Sequence, residues 1–192
     1  HVFCEKPIDL ELSKVRRAFE KVERSGITMM VGFNRRFDHN YAALQAAVAA
    51  GEVGQVHLVK ITSRDPEPPP IDFVKVSGGL FLDMAIHDFD MARFLSGSEV
   101  TAVSTAGTVL VSDEIGAAGD IDTAITTLWF DNGAIGVIDN SRQAVYGYDQ
   151  RAEVFGSKGM VRTENDTATR VIKTTAEGPR SDKPLWFFLE RY

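Results

Sequence analysis

Residues 121–143 read IDTAITTLWFDNGAIGVIDNSRQ. Two runs rich in β-branched and aromatic residues flank Asp131-Asn132-Gly133, and a tripeptide of this kind between such runs marks a tight hairpin loop. Strands joined so tightly must be antiparallel. Residues 99–111 form a strand before this pair, and residues 148–155, 160–164 and 169–174 form strands after it. Gly156-Ser157-Lys158-Gly159 supplies a second hairpin loop. The second half of the chain is therefore expected to be a mostly antiparallel sheet.

The first 33 residues obey a different pattern. Residues 1–4 are an apolar strand stopped by Glu5-Lys6-Pro7. Asp9 is placed as a helix N-cap with Glu11 in the first turn, Leu12, Val15, Phe19 and Val22 recur at helical spacing, and Gly26 is the stop. Residues 27–31 are a buried strand leading into Gly32-Phe33-Asn34-Arg35-Arg36. Strand, helix and strand over so short a span make one βαβ unit, which belongs to a parallel sheet. One unit cannot close a sheet, so its neighbours are expected upstream of residue 1. The chain opens in mid-strand and ends on Phe187-Phe188-Leu189-Glu190-Arg191-Tyr192, a helix cut short, so it reads as a fragment.

Between these halves, residues 41–50 form an Ala-rich helix ending at Gly51. Gln55 to Thr62 alternates as a strand, with Val56, Leu58 and Lys60 assigned to one face. Arg64-Asp65-Pro66-Glu67-Pro68-Pro69-Pro70 holds four of the seven prolines and is a stiff loop poor in hydrogen-bond donors. A helix is then expected from about Ser77 to Leu95, stopping at Gly97. The fold class is α+β: a mostly antiparallel open sheet with helices on one face, preceded by a remnant βαβ unit. Residues 1–33 form that remnant and residues 34–192 a second domain. The uncovered sheet face, if apolar, would be an oligomer interface.

Composition narrows the partners. The 192 residues carry 21 basic and 27 acidic side chains, a formal charge of −6, and no basic stretch that would suit a phosphate backbone. Apolar runs are broken by Asp or Gly well short of a membrane span. The single cysteine, Cys4, excludes an internal disulfide and fits a reducing, cytoplasmic compartment.

The chemistry concentrates in Gly78-Gly79-Leu80-Phe81-Leu82-Asp83-Met84-Ala85-Ile86-His87-Asp88-Phe89-Asp90. At about 100° per residue, Asp83, His87 and Asp90 share one stripe of an otherwise apolar helix, with Asp88 on another side. Carboxylates near an imidazole are costly to bury unpaired, so the three are expected to form one hydrogen-bonded network. Three readings are open on spacing alone. The pair is a structural tie between elements; or two carboxylates and a His hold a metal, with no second His or Cys nearby to strengthen it; or His87 is an acid–base group oriented by Asp. Glu5-Lys6-Pro7 stands at the carboxyl end of a parallel strand, where open α/β sheets bind ligands.

Glu5-Lys6-Pro7, Gly32-Phe33-Asn34-Arg35-Arg36-Phe37 and the block Gly78-Gly79, Asp83, His87-Asp88-Phe89-Asp90, Arg93-Phe94, in this order and separation, resemble the family of glucose–fructose oxidoreductase and inositol dehydrogenase. The proline loop and residues 140–151 look most like inositol 2-dehydrogenases. The resemblance implies an NAD-dependent enzyme with an amino-terminal dinucleotide-binding domain and a carboxy-terminal substrate and assembly domain, usually a homotetramer. Its reaction would oxidise myo-inositol to the 2-keto inosose; another sugar or polyol dehydrogenase, or a non-catalytic assembly module, is the alternative.

By the same resemblance Lys6 polarises the reacting oxygen and precedes a cis-proline at Pro7, and His87 takes the hydroxyl proton. Asp83 orients His87 and binds a neighbouring hydroxyl. Tyr146, Arg36 and Asp90 contact substrate, and Glu5 with Lys6 meets the cofactor. The departure is that no Gly-x-Gly-x-x-Gly occurs in the chain, so the phosphate-binding turn and the ribose-reading acid are expected upstream.

Overall fold

A computed structural model describes all residues, 1–192. Strand β1 (Val2–Glu5), helix α1 (Leu12–Ser25) and strand β2 (Met29–Gly32) form the expected βαβ unit, and β1 pairs with β2 in parallel. The helix begins two residues later than an Asp9 cap would place it. Asp9 instead accepts the Glu11 amide at 2.8 Å in a turn before the helix, and Gly26 closes it in the left-handed region. No residue of α1 is buried in this chain.

A 3₁₀ turn (Asn34–Phe37) leads into α2 (His39–Ala49), whose Asp38 N-cap accepts the amides of Asn40 and Tyr41. Strand β3 (Val56–Arg64) follows, then α3 (Ile71–Ser77), a π turn (Leu80–Ala85) and α4 (Ile86–Ser96). Strand β4 (Val100–Thr108), the short α5 (Asp113–Ala117), β5 (Thr123–Phe130), β6 (Ile135–Ser141), β7 (Asp149–Gly156) and β8 (Gly159–Arg162) complete the main body. The hairpin β9 (Ile172–Thr175) and β10 (Gly178–Ser181) and the single turn α6 (Phe188–Arg191) end the chain.

The main sheet has the order β4-β5-β6-β3-β7-β8. Both expected hairpins, β5–β6 and β7–β8, are antiparallel neighbours. The sheet is not, however, laid out in chain order. Strand β3 lies between β6 and β7, antiparallel to β7 and parallel to β6. Helices α2 and α4 cover one face, where Tyr41, Leu44, Met91 and Leu95 pack on Val59, Ile61, Leu128, Ile138 and Val154. The expected face of β3 is corrected at the same time. A register shift between Val56 and Leu58 changes the phase, so Val59, Ile61 and Ser63 point to the core while Lys60 is exposed.

The expected continuous helix from Ser77 is also corrected. Gly78 (φ 85°) ends α3, and Gly79 (φ 73°, ψ −167°) adopts a conformation closed to side chains, where a Cβ would come within 2.5 Å of the Asp120 carboxylate. Asp120 accepts the Leu80 amide at 3.0 Å, which restarts the helix as a π turn.

Where α4 crosses the sheet, a charge pair replaces apolar packing. Asp88 is fully buried; it pairs with Arg35 of the 3₁₀ turn and accepts from Asn140 of β6 at 2.8 Å, while Arg35 also donates to Ser63 of β3 at 3.2 Å. This pins α4, the turn and two strands to one point. Removing the carboxylate leaves a buried guanidinium uncompensated, so Asp88→Ala is expected to cost about 3–5 kcal/mol in urea unfolding. A loss below about 1 kcal/mol would show that the pair does not anchor the fold.

Candidate active site

A cavity of about 700 Å³ opens where the carboxyl end of β1 meets the π turn, the proline loop and the C-terminal segment. Lys6 and Glu5 enter from β1, Asp83 and His87 from the π turn and the start of α4, and Arg142 and Tyr148 from the β6–β7 connection. Asp65 and the four prolines of residues 66–70 form one wall, and Phe187 and Phe188 lie at another. The prolines offer carbonyls but no N–H, so the side-chain donors in this cavity come from other residues, among them Lys6, Asn34, Arg142 and Tyr148.

The Lys6–Pro7 bond is cis. The Lys6 ammonium donates to the main-chain carbonyl of Asp83 and, at 3.3 Å, to its Oδ1. Arg142 Nη1 donates to the other carboxylate oxygen of Asp83 at 2.9 Å and to Asp65 Oδ2 at 3.2 Å. Asp83 is thus held between two cations. The expected network of Asp83, His87 and Asp90 is not formed. The stripe argument assumed a regular α-helix, and the π turn, with its i→i+5 bonds, shifts the phase between Asp83 and α4.

His87 Nδ1 is buried without a hydrogen-bond partner, and the ring lies edge-on to Phe33 with centroids 6.2 Å apart. This leaves Nε2 as the ring nitrogen with access to the cavity. Burial first, then the charges of Arg35 and Lys6, push the imidazole down to about 2, so it is neutral. Burial pushes the Asp65 carboxyl up against the pull of Arg142, and burial keeps the Tyr148 hydroxyl protonated.

Lys6, Glu5, Asp83 and His87 share the cavity, but the other three named residues are not in its wall. Arg36 and Asp90 are locked in a bidentate pair at 2.6 and 2.8 Å, and Arg36 stacks over Phe94 at 5.0 Å. Tyr146 donates to Asp149 at 2.6 Å and accepts from Arg64 at 3.1 Å. Arg142, Asp65 and Tyr148 were not singled out by the sequence. Arg142 sits one residue past a strand end, and nothing in its local pattern distinguishes it from an exposed arginine.

The pattern described as the GFO/IDH/MocA C-terminal domain matches residues 41–162. The chain belongs to this family. It is 56% identical to a myo-inositol 2-dehydrogenase of Thermotoga maritima, across all of this chain and 58% of that protein. A myo-inositol dehydrogenase structure from Corynebacterium glutamicum superposes with a TM-score of 0.94 at 46% identity, over 99% of this chain and 57% of that one. A scyllo-inositol dehydrogenase from Lactobacillus casei, solved with NAD(H) and scyllo-inositol, gives 0.87 at 31% identity over 100% and 58%. The chain thus spans somewhat over half the length of these GFO/IDH/MocA relatives.

The neutral His87 has a consequence for stability. Its ordinary value is 6.5 and its folded value about 2, so below pH 6.5 the unfolded chain takes up a proton that the folded chain refuses. Folding stability is therefore expected to fall as pH drops from about 6.5 to about 5, above the range where carboxylates titrate. His87→Gln should flatten the stability profile in that window. An unchanged slope in thermal unfolding would show that His87 is protonated in the folded protein.

Proposed function

We propose that this chain is the substrate-binding portion of an NAD-dependent inositol 2-dehydrogenase that oxidises myo-inositol to the 2-keto inosose. The observation that carries the reading is the meeting of Lys6, Asp83 and neutral His87 in one cavity that also presents Arg142, Asp65 and Tyr148 beside the prolines and phenylalanines. The names of the relatives support the same substrate class.

Each residue has a distinct task. His87 Nε2 accepts the hydroxyl proton of the reacting carbon. The Lys6 ammonium donates to that same oxygen and stabilises the charge that develops as it becomes a carbonyl. Asp83 accepts hydrogen bonds from a neighbouring hydroxyl and balances Lys6. Tyr148 is a neutral donor in the wall. Burial, then the Arg35 and Lys6 charges, keep the resting imidazole neutral, which is the form that can accept a proton.

The residues at the carboxyl end of β1 fit the nicotinamide end of the cofactor. Glu5 is seated over Gly32 so closely that a Cβ there would come within 2.9 Å of its carboxylate. Glu5 and Lys6 would hold the carboxamide side, and the nicotinamide, when bound, supplies the hydride acceptor. The chain itself has no glycine-rich phosphate turn, so alone it should not turn over. We also propose residues 1–33 and 34–192 as parts of two domains, a reducing cytoplasmic setting, and a homotetramer formed through the outer sheet face. Ile125, Trp129, Ile135 and Phe155 are exposed there.

The test is steady-state kinetics on the complete enzyme with myo-inositol and NAD. His87→Ala is expected to lower kcat by about 100- to 10,000-fold with the oligomeric state unchanged. Unchanged turnover would remove His87 as the base and leave assembly as the role of this domain.

A further inference from the structure

The parallel register of β3 with β6 ends at Arg64 opposite Ser141, so both chains leave the sheet side by side at the same end. The next residues are Asp65 and Arg142, and they are fastened together at once. Asp65 donates its amide to the Ser141 carbonyl at 3.0 Å, and its carbonyl accepts the Ala144 amide at 2.6 Å. The Arg142 amide donates to the Asp122 carbonyl at 2.8 Å. From this fixed base the Arg142 side chain, 2% exposed, runs inward to reach Asp83 and Asp65 through one nitrogen.

As a stabilising device the arrangement is poor. A guanidinium carries five N–H donors, yet Arg142 Nε and Nη2 are buried with no partner. Buried ion pairs seldom outperform apolar residues of the same volume, and orphan donors worsen the comparison. The position of the group accounts for it better. Lys6 ends in a rotatable ammonium on a flexible stem, which cannot fix the plane of a carboxylate. It must also serve the reacting oxygen, and its hold on Asp83 weakens when it does. Arg142 holds the opposite oxygen of Asp83 throughout. The same nitrogen holds the first residue of the proline wall.

We propose that Arg142 is the positioning residue of this site, fixing the Asp83 carboxylate against Lys6 and clamping the proline loop over the polyol through Asp65. The proposal rests on the function inferred above and names the residue that gives the polyol pocket its shape.

The test compares Arg142→Met and Arg142→Lys in the complete enzyme, reading kcat and KM separately for myo-inositol and NAD, with thermal unfolding as a check on folding. For a folded Met variant, kcat/KM for the polyol should fall about 100-fold or more while KM for NAD stays within about twofold; Lys, which keeps a charge but not the fork, should recover about tenfold. Wild-type kinetics in the Met variant overturn the proposal. So do equal losses in both variants with KM for NAD raised in parallel, the result of a merely structural role. If the Met variant does not fold, the Lys variant decides. A loss of about tenfold confined to the polyol supports the proposal, and wild-type kinetics or a loss shared by both substrates overturns it. A wild-type enzyme that oxidises no polyol overturns the functional reading itself, and this proposal with it.

Discussion

The parallel pairing of β3 with β6 is the constraint on which the rest of the molecule depends. In an otherwise antiparallel sheet it makes two strands, far apart in sequence, end together. Inside the sheet the pairing sets Ser63 opposite Asn140, and these two meet the buried Asp88–Arg35 pair that anchors α4. Just beyond the sheet it delivers Asp65 and Arg142 to the same place. The site is thus built just beyond the edge of a rigid layer, whose backbone ladder fixes where the proline loop and the β6–β7 connection begin.

Electrostatics at the imidazole follow from burial and from the two cations nearest to it, Arg35 and Lys6. Lys6, Arg35 and Arg142 lie around a cavity with four carboxylates in its wall, Glu5, Asp65, Glu67 and Asp83, while Asp88, outside that wall, pairs with Arg35. Burial disfavours protonation of His87 most, and Arg35 and Lys6 add to it. An imidazole paired to Asp83, as the sequence spacing invites, would have the opposite tendency, since a nearby carboxylate favours imidazolium. Both carboxylate oxygens of Asp83 are instead engaged by cations, Oδ1 by Lys6 and Oδ2 by Arg142.

Three of the residues that the family resemblance assigns to substrate form ion pairs or hydrogen bonds elsewhere. Arg36 and Asp90 complete each other at the side of α4, and Tyr146 joins Arg64 and Asp149 beyond the cavity wall. The residues that do share the cavity with Lys6 and His87 come from segments as distant as the proline loop, the β6–β7 connection and the C-terminal aromatics.

The sequence by itself determined the strands of the main sheet, both hairpins, the βαβ unit and the family, though not α3, α5 or β10, and it brought Lys6, Asp83 and His87 to attention. These are legible because turn chemistry, periodicity and short motifs are set by residues a few positions apart. Only the tertiary structure decided the strand order, the phase of β3 and of the π turn, and the partners of the charges. Lys6 and Asp83 are 77 residues apart, as are Arg142 and Asp65, while Arg35 and Asp88 are 53 apart. No local pattern encodes which carboxylate a cation will meet at such range. That choice is made when packing removes both from water and only a paired arrangement repays the cost.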